Sequence, residues 1–138
     1  MLDLSRINLA ELVEVVPCLD LLERDNYSWQ SMGEALNVHL HGGGTASSDL
    51  PRRGPDYWWL VRSELFALIC TRAPSQSELR QKLQDHPHLS TSELLSLVSK
   101  VIAQRAEVDV GIITPLVATG LYAIRKQGSE AWCYSQAR

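Results

Sequence analysis

The sequence predicts an all-α protein, a compact bundle of about six to seven helices with one long flexible loop at residues 42–55. Apolar residues recur every three or four positions in several segments, which is the spacing of one helix face. No segment alternates apolar and polar residues long enough to predict a strand. Four Ser or Asn residues precede a Glu by three positions, the spacing of a capping box at a helix start. These pairs are Asn8 with Glu11, Ser31 with Glu34, Ser75 with Glu78 and Ser90 with Glu93.

Three helices are predicted before the loop. The first begins at Asn8, and its apolar positions recur at helical spacing. Pro17 suits the first turn of a second helix, which reaches toward Asn26, because proline has a fixed φ and needs no amide partner there. The third helix ends at Gly42.

The loop at residues 42–55 contains four glycines and two prolines among small polar residues. Such a segment buries little apolar surface and gains little from ordering, so it is predicted to be a flexible loop or an internal linker. Neither side of it holds a comfortable core alone. Residues 1–138 are therefore expected to form a single domain.

Of the helices after the loop, residues 57–71 are apolar nearly all round and are expected to form the central, most buried one. A mostly polar helix that begins at Ser75 is expected on the outside. The helix that begins at Ser90 carries a clear apolar stripe and is expected to pack on the central helix.

The last long helix is predicted over residues 112–127, with Gly128 as its stop and a short turn over residues 129–134. Polar residues and a proline interrupt the apolar stretch 108–124, so it is predicted to be a core helix and not a membrane span. Its inward residues are predicted to be Ile113, Leu116, Val117, Leu121 and Ile124.

The net charge of −3 is unevenly distributed. Residues 1–41 hold seven acids and two bases, a charge of −5, whereas residues 42–138 hold nine acids and eleven bases, a charge of +2. The protein is therefore expected to have an acidic end. Acidic residues within the N-terminal apolar run do not fit a secretory signal peptide.

Three cysteines, Cys18, Cys70 and Cys133, lie far apart and form no CxxC pair. Because an odd number argues against a complete disulfide framework, the sequence predicts a reducing compartment and a soluble, cytoplasmic protein. Cys133 is expected to be a buried, inert thiol, since no cationic helix start surrounds it.

The four histidines occur as two HxH pairs, His39 with His41 and His86 with His88. Two imidazoles at this spacing on extended backbone point the same way, and two such pairs brought together would offer four nitrogen ligands to zinc or another transition metal. The alternative is that all four are surface histidines. The spacing is far less specific than paired CxxC motifs.

Trp58 and Trp59 follow Arg52 and Arg53, a combination of stacking surface and positive charge that suits single-stranded nucleic acid. The sequence pI of about 5.8 argues against that function, and so does the lack of a basic stripe on any predicted helix. The aromatic residues are therefore expected in the core. The glycines after His41 lack the strand, Lys and GxSxG context that a phosphate loop or an esterase needs.

The opening of the chain has a pattern of apolar residues followed by a proline, a cysteine and an arginine, formed by Leu9, Leu12, Val13, Val16, Pro17, Cys18, Leu19 and Arg24. Over about residues 9–25 this pattern resembles bacterial effector-associated, death-fold-like adaptor domains. The resemblance implies a small helical bundle that recruits effectors by like-with-like contact, without catalytic residues.

The leading hypothesis is a non-enzymatic, cofactor-free protein-interaction module, an adaptor or regulatory subunit of a bacterial signalling or defence assembly. Its expected interface is the acidic face of the first two helices, and its partner a protein or a second copy. Neither nucleic acid nor membrane is an expected partner. The alternatives are a metal-binding helical protein and a small nucleic-acid-binding effector. The interface residues proposed from the sequence are Glu11, Glu14, Asp20 and Glu23.

Overall fold

A computed structural model describes Leu4, residues 6–17, Leu19 and residues 57–136. These residues form six α-helices and one short 3-10 helix and contain no strand, so the predicted all-α class is confirmed. Apart from Pro17 and Leu19, the predicted second and third helices and the loop 42–55 lie outside the described residues. The helices are α1 (Leu9–Val15), α2 (Tyr57–Cys70), α3 (Ser77–Asp85), α4 (Thr91–Ala106), α5 (Val110–Gln127) and α6 (Ser129–Gln136), and the 3-10 helix is Pro74–Gln76.

The most buried helix of the described part is α5, on which α1, α2, α4 and α6 all pack. All five residues predicted to face inward are buried, and residues 116–124 are buried without interruption. The expectation that residues 57–71 form the central helix was wrong. In α2 one face remains accessible, and the Trp59 side chain is 56% exposed.

Two of the predicted helix starts appear at the predicted residues. At the start of α4, the Ser90 hydroxyl accepts from the Glu93 amide at 3.1 Å, and the Glu93 carboxylate accepts from the Ser90 amide at 3.1 Å. This capping box satisfies two amides that the helix itself leaves without partners. At the start of α1, the Asn8 side chain accepts from the Ala10 amide at 2.9 Å.

The start of α3 differs from the prediction. The 3-10 helix precedes it, the helix begins at Ser77, and Gln76 occupies the N-cap position without a side-chain cap. The predicted box of Ser75 with Glu78 does not form, because the chain around Ser75 is already in the 3-10 turn. Otherwise α3 is the polar outer helix that was expected, with Leu79 and Leu83 as its buried residues.

A polar network fixes the connection between α2 and α3. The Glu64 carboxylate accepts hydrogen bonds from the side-chain amide of Gln76 and from the Arg105 guanidinium, the latter at 2.9 Å. Arg105 also donates to the Ser75 carbonyl. The network therefore ties α2 and α4 to the 3-10 helix, and it satisfies Gln76, which is buried to 2% exposure.

Arg80 of α3 caps the C-terminal end of α2. Its guanidinium donates to the carbonyl oxygens of Leu68 at 3.1 Å, Ala67 at 3.0 Å and Thr71 at 2.7 Å. The last carbonyls of a helix have no partners within that helix, and the helix dipole makes its C-terminus attractive to a cation. One planar side chain thus satisfies several acceptors and holds α3 against α2.

Gly128 ends α5, as predicted, with a φ of 94°. The chain then continues into α6, so the predicted turn over residues 129–134 is a helix. A positive φ costs glycine little because it has no Cβ, and this sharp change of direction brings α6 back onto α2 and α5.

One hydrophobic core joins the N-terminal segment to residues beyond position 57. Leu4, Ile7, Leu12, Val16 and Leu19 are all buried. They belong to the same cluster as the buried residues of the later helices. The apolar residues at helical spacing in the sequence therefore become a continuous interior in which two distant parts of the chain meet.

A disulfide bond joins Cys70, the last residue of α2, to Cys133 of α6. The two Cα atoms lie 5.7 Å apart, within the range that a disulfide requires. Cys133 is buried, as predicted, but it forms this bond and is not the inert thiol that the sequence predicted. The pairing was missed because cysteines 63 positions apart give no sequence signal for contact.

We predict that Ser90→Ala lowers the free energy of unfolding by about 1 kcal/mol, because it removes the hydroxyl of the capping box at the start of α4. Urea denaturation followed by circular dichroism measures the change. Ser96→Ala is the matched control, since Ser96 is exposed in the interior of the same helix. An equal change in both variants would show that the cap contributes nothing.

We predict that the double variant Cys70→Ser/Cys133→Ser unfolds with a free energy lower by about 4 kcal/mol than the oxidised protein. The chain-entropy model gives this value for a loop of 63 residues, because the bond restricts the unfolded chain. Cys18→Ser is the control, since Cys18 takes no part in this bond. Equal stabilities of oxidised protein and double variant would contradict the prediction.

Candidate interaction surface

The first helix, α1, is fixed on the bundle by contacts at its start. The Asn8 amide donates to Thr91 Oγ1 at 2.8 Å, and Arg125 Nε donates to the Ile7 carbonyl at 3.3 Å. Arg6 donates to the Pro87 carbonyl. These bonds reach 81 to 118 residues along the chain, and they hold the N-terminal segment against α4, α5 and the connection before α4.

The outward face of α1 carries Glu11, Glu14 and Val15. Glu14 and Val15 follow Glu11 by three and four positions, so Glu11 neighbours both of them on the helix surface, whereas Leu12 is buried. Glu11 is half-buried and Glu14 is exposed. Val15 is 42% exposed, one of four large apolar residues of the described part that are exposed. The face therefore combines two carboxylates with an apolar side chain.

Neither carboxylate of this face forms an ion pair with a described residue. The described ion pairs join Lys82 to Glu78 and Arg105 to Glu64, on other helices. The two arginines close to the start of α1, Arg6 and Arg125, donate to backbone carbonyls instead. Within the described residues, no cation pairs with the negative charge of α1.

Glu11 was also expected to close a capping box with Asn8. The Asn8 amide donates to Thr91 instead, so the carboxylate of Glu11 is not used by its own helix start. The sequence could not reveal this, because Thr91 lies 83 residues away. Glu11 still lies in the first turn of α1, where the helix dipole favours a negative charge.

Two of the four interface residues predicted from the sequence are described, and the structure brings them together on α1. The other two, Asp20 and Glu23, lie outside the described residues. Val15 was missed, although its position four residues after Glu11 places it on the same helix face. Val15 could have been identified from the sequence, because it is an apolar residue on the polar face of a predicted helix.

The predicted metal ligands are only partly described. His86 and His88 lie on the exposed connection between α3 and α4, where His86 ends α3. His39 and His41 lie outside the described residues. Among the residues that the structure does describe, no group of three or more His, Cys, Asp and Glu side chains is arranged to hold a metal ion.

The aromatic residues proposed for nucleic-acid binding point in different directions. Trp58 belongs to the core with 3% exposure, whereas Trp59 is 56% exposed. Because one indole is buried and the other is exposed, the two do not form one stacking platform. Arg52 and Arg53 lie outside the described residues.

The comparisons with known proteins add no relative to this description. Within the described residues, no helix has the length and apolar character needed to cross a membrane. No protein-family model matches the chain, and no curated protein or solved structure is significantly similar to it.

Proposed function

We propose that this protein is a non-enzymatic protein-interaction module, an adaptor or regulatory subunit of a bacterial-type signalling or defence assembly in the cytoplasm. Its binding face is the outward side of α1. The observation that carries the proposal is the pair of carboxylates, Glu11 and Glu14, which form no ion pair with a described residue and lie beside the exposed Val15.

Charge supports this assignment. Two carboxylates three residues apart produce a negative potential that attracts a basic partner and raises the rate of productive encounters. The sequence continues this acidic character, since residues 1–41 carry a charge of −5. The described ion pairs of the chain involve carboxylates on other helices. A partner with lysine or arginine would supply cations to Glu11 and Glu14.

The rigidity of α1 also supports it. Binding costs less entropy when the contact residues belong to a helix that is already packed. Leu12 anchors α1 in the core with 0% exposure, and the hydrogen bond of Asn8 to Thr91 fixes the start of the helix. Glu11, Glu14 and Val15 are therefore presented in a defined geometry.

The partner that fits this face is a basic, amphipathic protein segment. Its cations would pair with the two carboxylates, and an apolar residue between them would cover Val15. A second copy of the chain, presenting residues of its more basic part, is one source of such a segment. Residues 42–138 carry a net charge of +2 and provide the opposite charge.

We predict that the double charge reversal Glu11→Lys/Glu14→Lys weakens association at least about tenfold at low salt, because both attractions become repulsions. Self-association is measured by light scattering after size-exclusion chromatography, and binding to a Lys-rich amphipathic peptide by fluorescence anisotropy. Raising the salt from about 0.05 M to about 0.5 M should shrink the difference between the two proteins, because ions screen exposed charges.

The control is the double reversal Asp85→Lys/Glu130→Lys, which makes the same change in net charge elsewhere. Glu130, like Glu11, lies in the first turn of a helix, and Asp85, like Glu14, is exposed. Circular dichroism checks that both variants are folded. If both double variants weaken association to the same extent, the loss is due to net charge and the face of α1 is not the interface.

We predict that Val15→Ala weakens the same association about fivefold at every salt concentration, since the lost contact is apolar and is not screened. Val110→Ala is the matched control, because Val110 is similarly exposed, at 40%, at the start of α5. The free energy of unfolding should change little in either variant. A loss of binding that disappears at high salt would contradict an apolar role for Val15.

A further inference from the structure

The bond between Cys70 and Cys133 joins elements that are held in very different ways. At one end, α2 contributes five buried side chains to the core and is capped by Arg80. At the other end, α6 has eight residues, of which Trp132 and Cys133 are buried. The bond therefore attaches a short terminal helix to a firmly packed one.

Two buried residues, Trp132 and Cys133, anchor α6 on the bundle. A helix of eight residues is too short to be stable in isolation, so it depends on its contacts with α2 and α5. The hydrogen bonds of the Ser135 and Gln136 side chains stay within α6. Gly128, with its positive φ, precedes the helix and provides a natural hinge.

The two cysteines of the bond differ in exposure. Cys70 is partly exposed, whereas Cys133 is 9% exposed. The exposed Arg72 follows two residues later, and the Arg80 guanidinium binds the Thr71 carbonyl at 2.7 Å. Arg72 thus lies two residues from Cys70 and Arg80 binds the residue that follows it, and positive charge near a cysteine favours the approach of an anionic thiolate.

We propose that Cys70 and Cys133 form a reversible thiol–disulfide exchange site for low-molecular-weight thiols of the glutathione class, and that opening the bond releases α6 from α2. This site is separate from the binding face of α1. It rests on the proposed cytoplasmic location only for its biological setting, because there glutathione keeps thiols reduced and disulfides are mostly transient and regulatory.

The exchange balances in two steps. A thiolate attacks Cys70 Sγ, a mixed disulfide forms, and Cys133 Sγ leaves as a thiolate that takes up a proton. A second thiolate attacks the external sulfur of the mixed disulfide and releases Cys70 in the same way. Overall, two external thiols are oxidised to one disulfide while the protein disulfide gains two electrons and two protons. The reverse sequence closes the bond with the oxidised thiol as the oxidant.

A glutathione redox titration tests the proposal. Cys18→Ser is used throughout, so that the pair holds all the thiols of the protein, and alkylation followed by mass spectrometry measures the oxidised fraction. The bond should pass from closed to open within the ratios of reduced to oxidised glutathione found in cytosol. A bond that stays closed at the most reducing of these ratios would be a permanent structural bond and would overturn the proposal.

Hydrogen–deuterium exchange in the same samples reports the release. On reduction, exchange over residues 129–136 should approach the rate of an unfolded peptide, while α4 keeps the protection that the lowered free energy of unfolding still provides, because only α6 is freed. No change in residues 129–136, or an equal loss of protection throughout, would show that opening does not act on α6. This readout needs no cysteine variant of the pair, so it does not depend on whether such a variant folds.

The charge-reversed variant Glu11→Lys/Glu14→Lys keeps the two proposals apart. In the Cys18→Ser background it should titrate with glutathione as its parent does. A normal titration together with unchanged partner binding would remove the assignment of the α1 face and leave the exchange site standing. If the bond does not open and the variant loses binding, the exchange site is ruled out and the assignment of the α1 face stands.

Discussion

The burial of α5 on all its sides is the constraint on which the described fold depends. Four helices pack on it, so it needs small side chains where a neighbour comes closest. Gly120 meets this need against α2, since a Cβ at that position would lie 2.5 Å from Cδ1 of the fully buried Leu65. The same burial places α1 and α6 against one common helix. The binding face of α1 and the disulfide of α6 therefore both belong to helices that pack on α5.

Proline is compatible with this helix because of where it lies. Pro115 lacks the amide that would bond to the Gly111 carbonyl, and Gly111 is exposed near the start of α5, where water can replace the lost partner. Further along, Thr119 is completely buried, and its hydroxyl donates to the Pro115 carbonyl at 2.9 Å. The interior of α5 therefore contains no unsatisfied threonine hydroxyl, and the helix continues past the proline to Gln127.

Local features of this protein were predictable from the sequence, and features that depend on distant partners were not. The capping box at Ser90 uses groups three residues apart, and it formed as predicted. The boxes predicted at Asn8 and Ser75 have the same spacing but do not form. The Asn8 amide donates to Thr91, and Ser75 lies in the 3-10 helix. The disulfide was missed for the same reason. Glu11 and Glu14 were identified because acidic residues are visible in the sequence, whereas their exposure depends on how α1 packs.

The placement of α1 and α6 on α5 also determines whether they influence each other. The start of α1 is held by Thr91 and by the carbonyl contacts of Arg6 and Arg125, and none of these groups belongs to α6. Release of α6 would leave those bonds in place, so the binding face of α1 would keep its geometry. Coupling would require α5 itself to shift, which its uninterrupted burial over residues 116–124 opposes. Redox opening is therefore expected to expose new surface at the C-terminal end and to leave the acidic face unchanged.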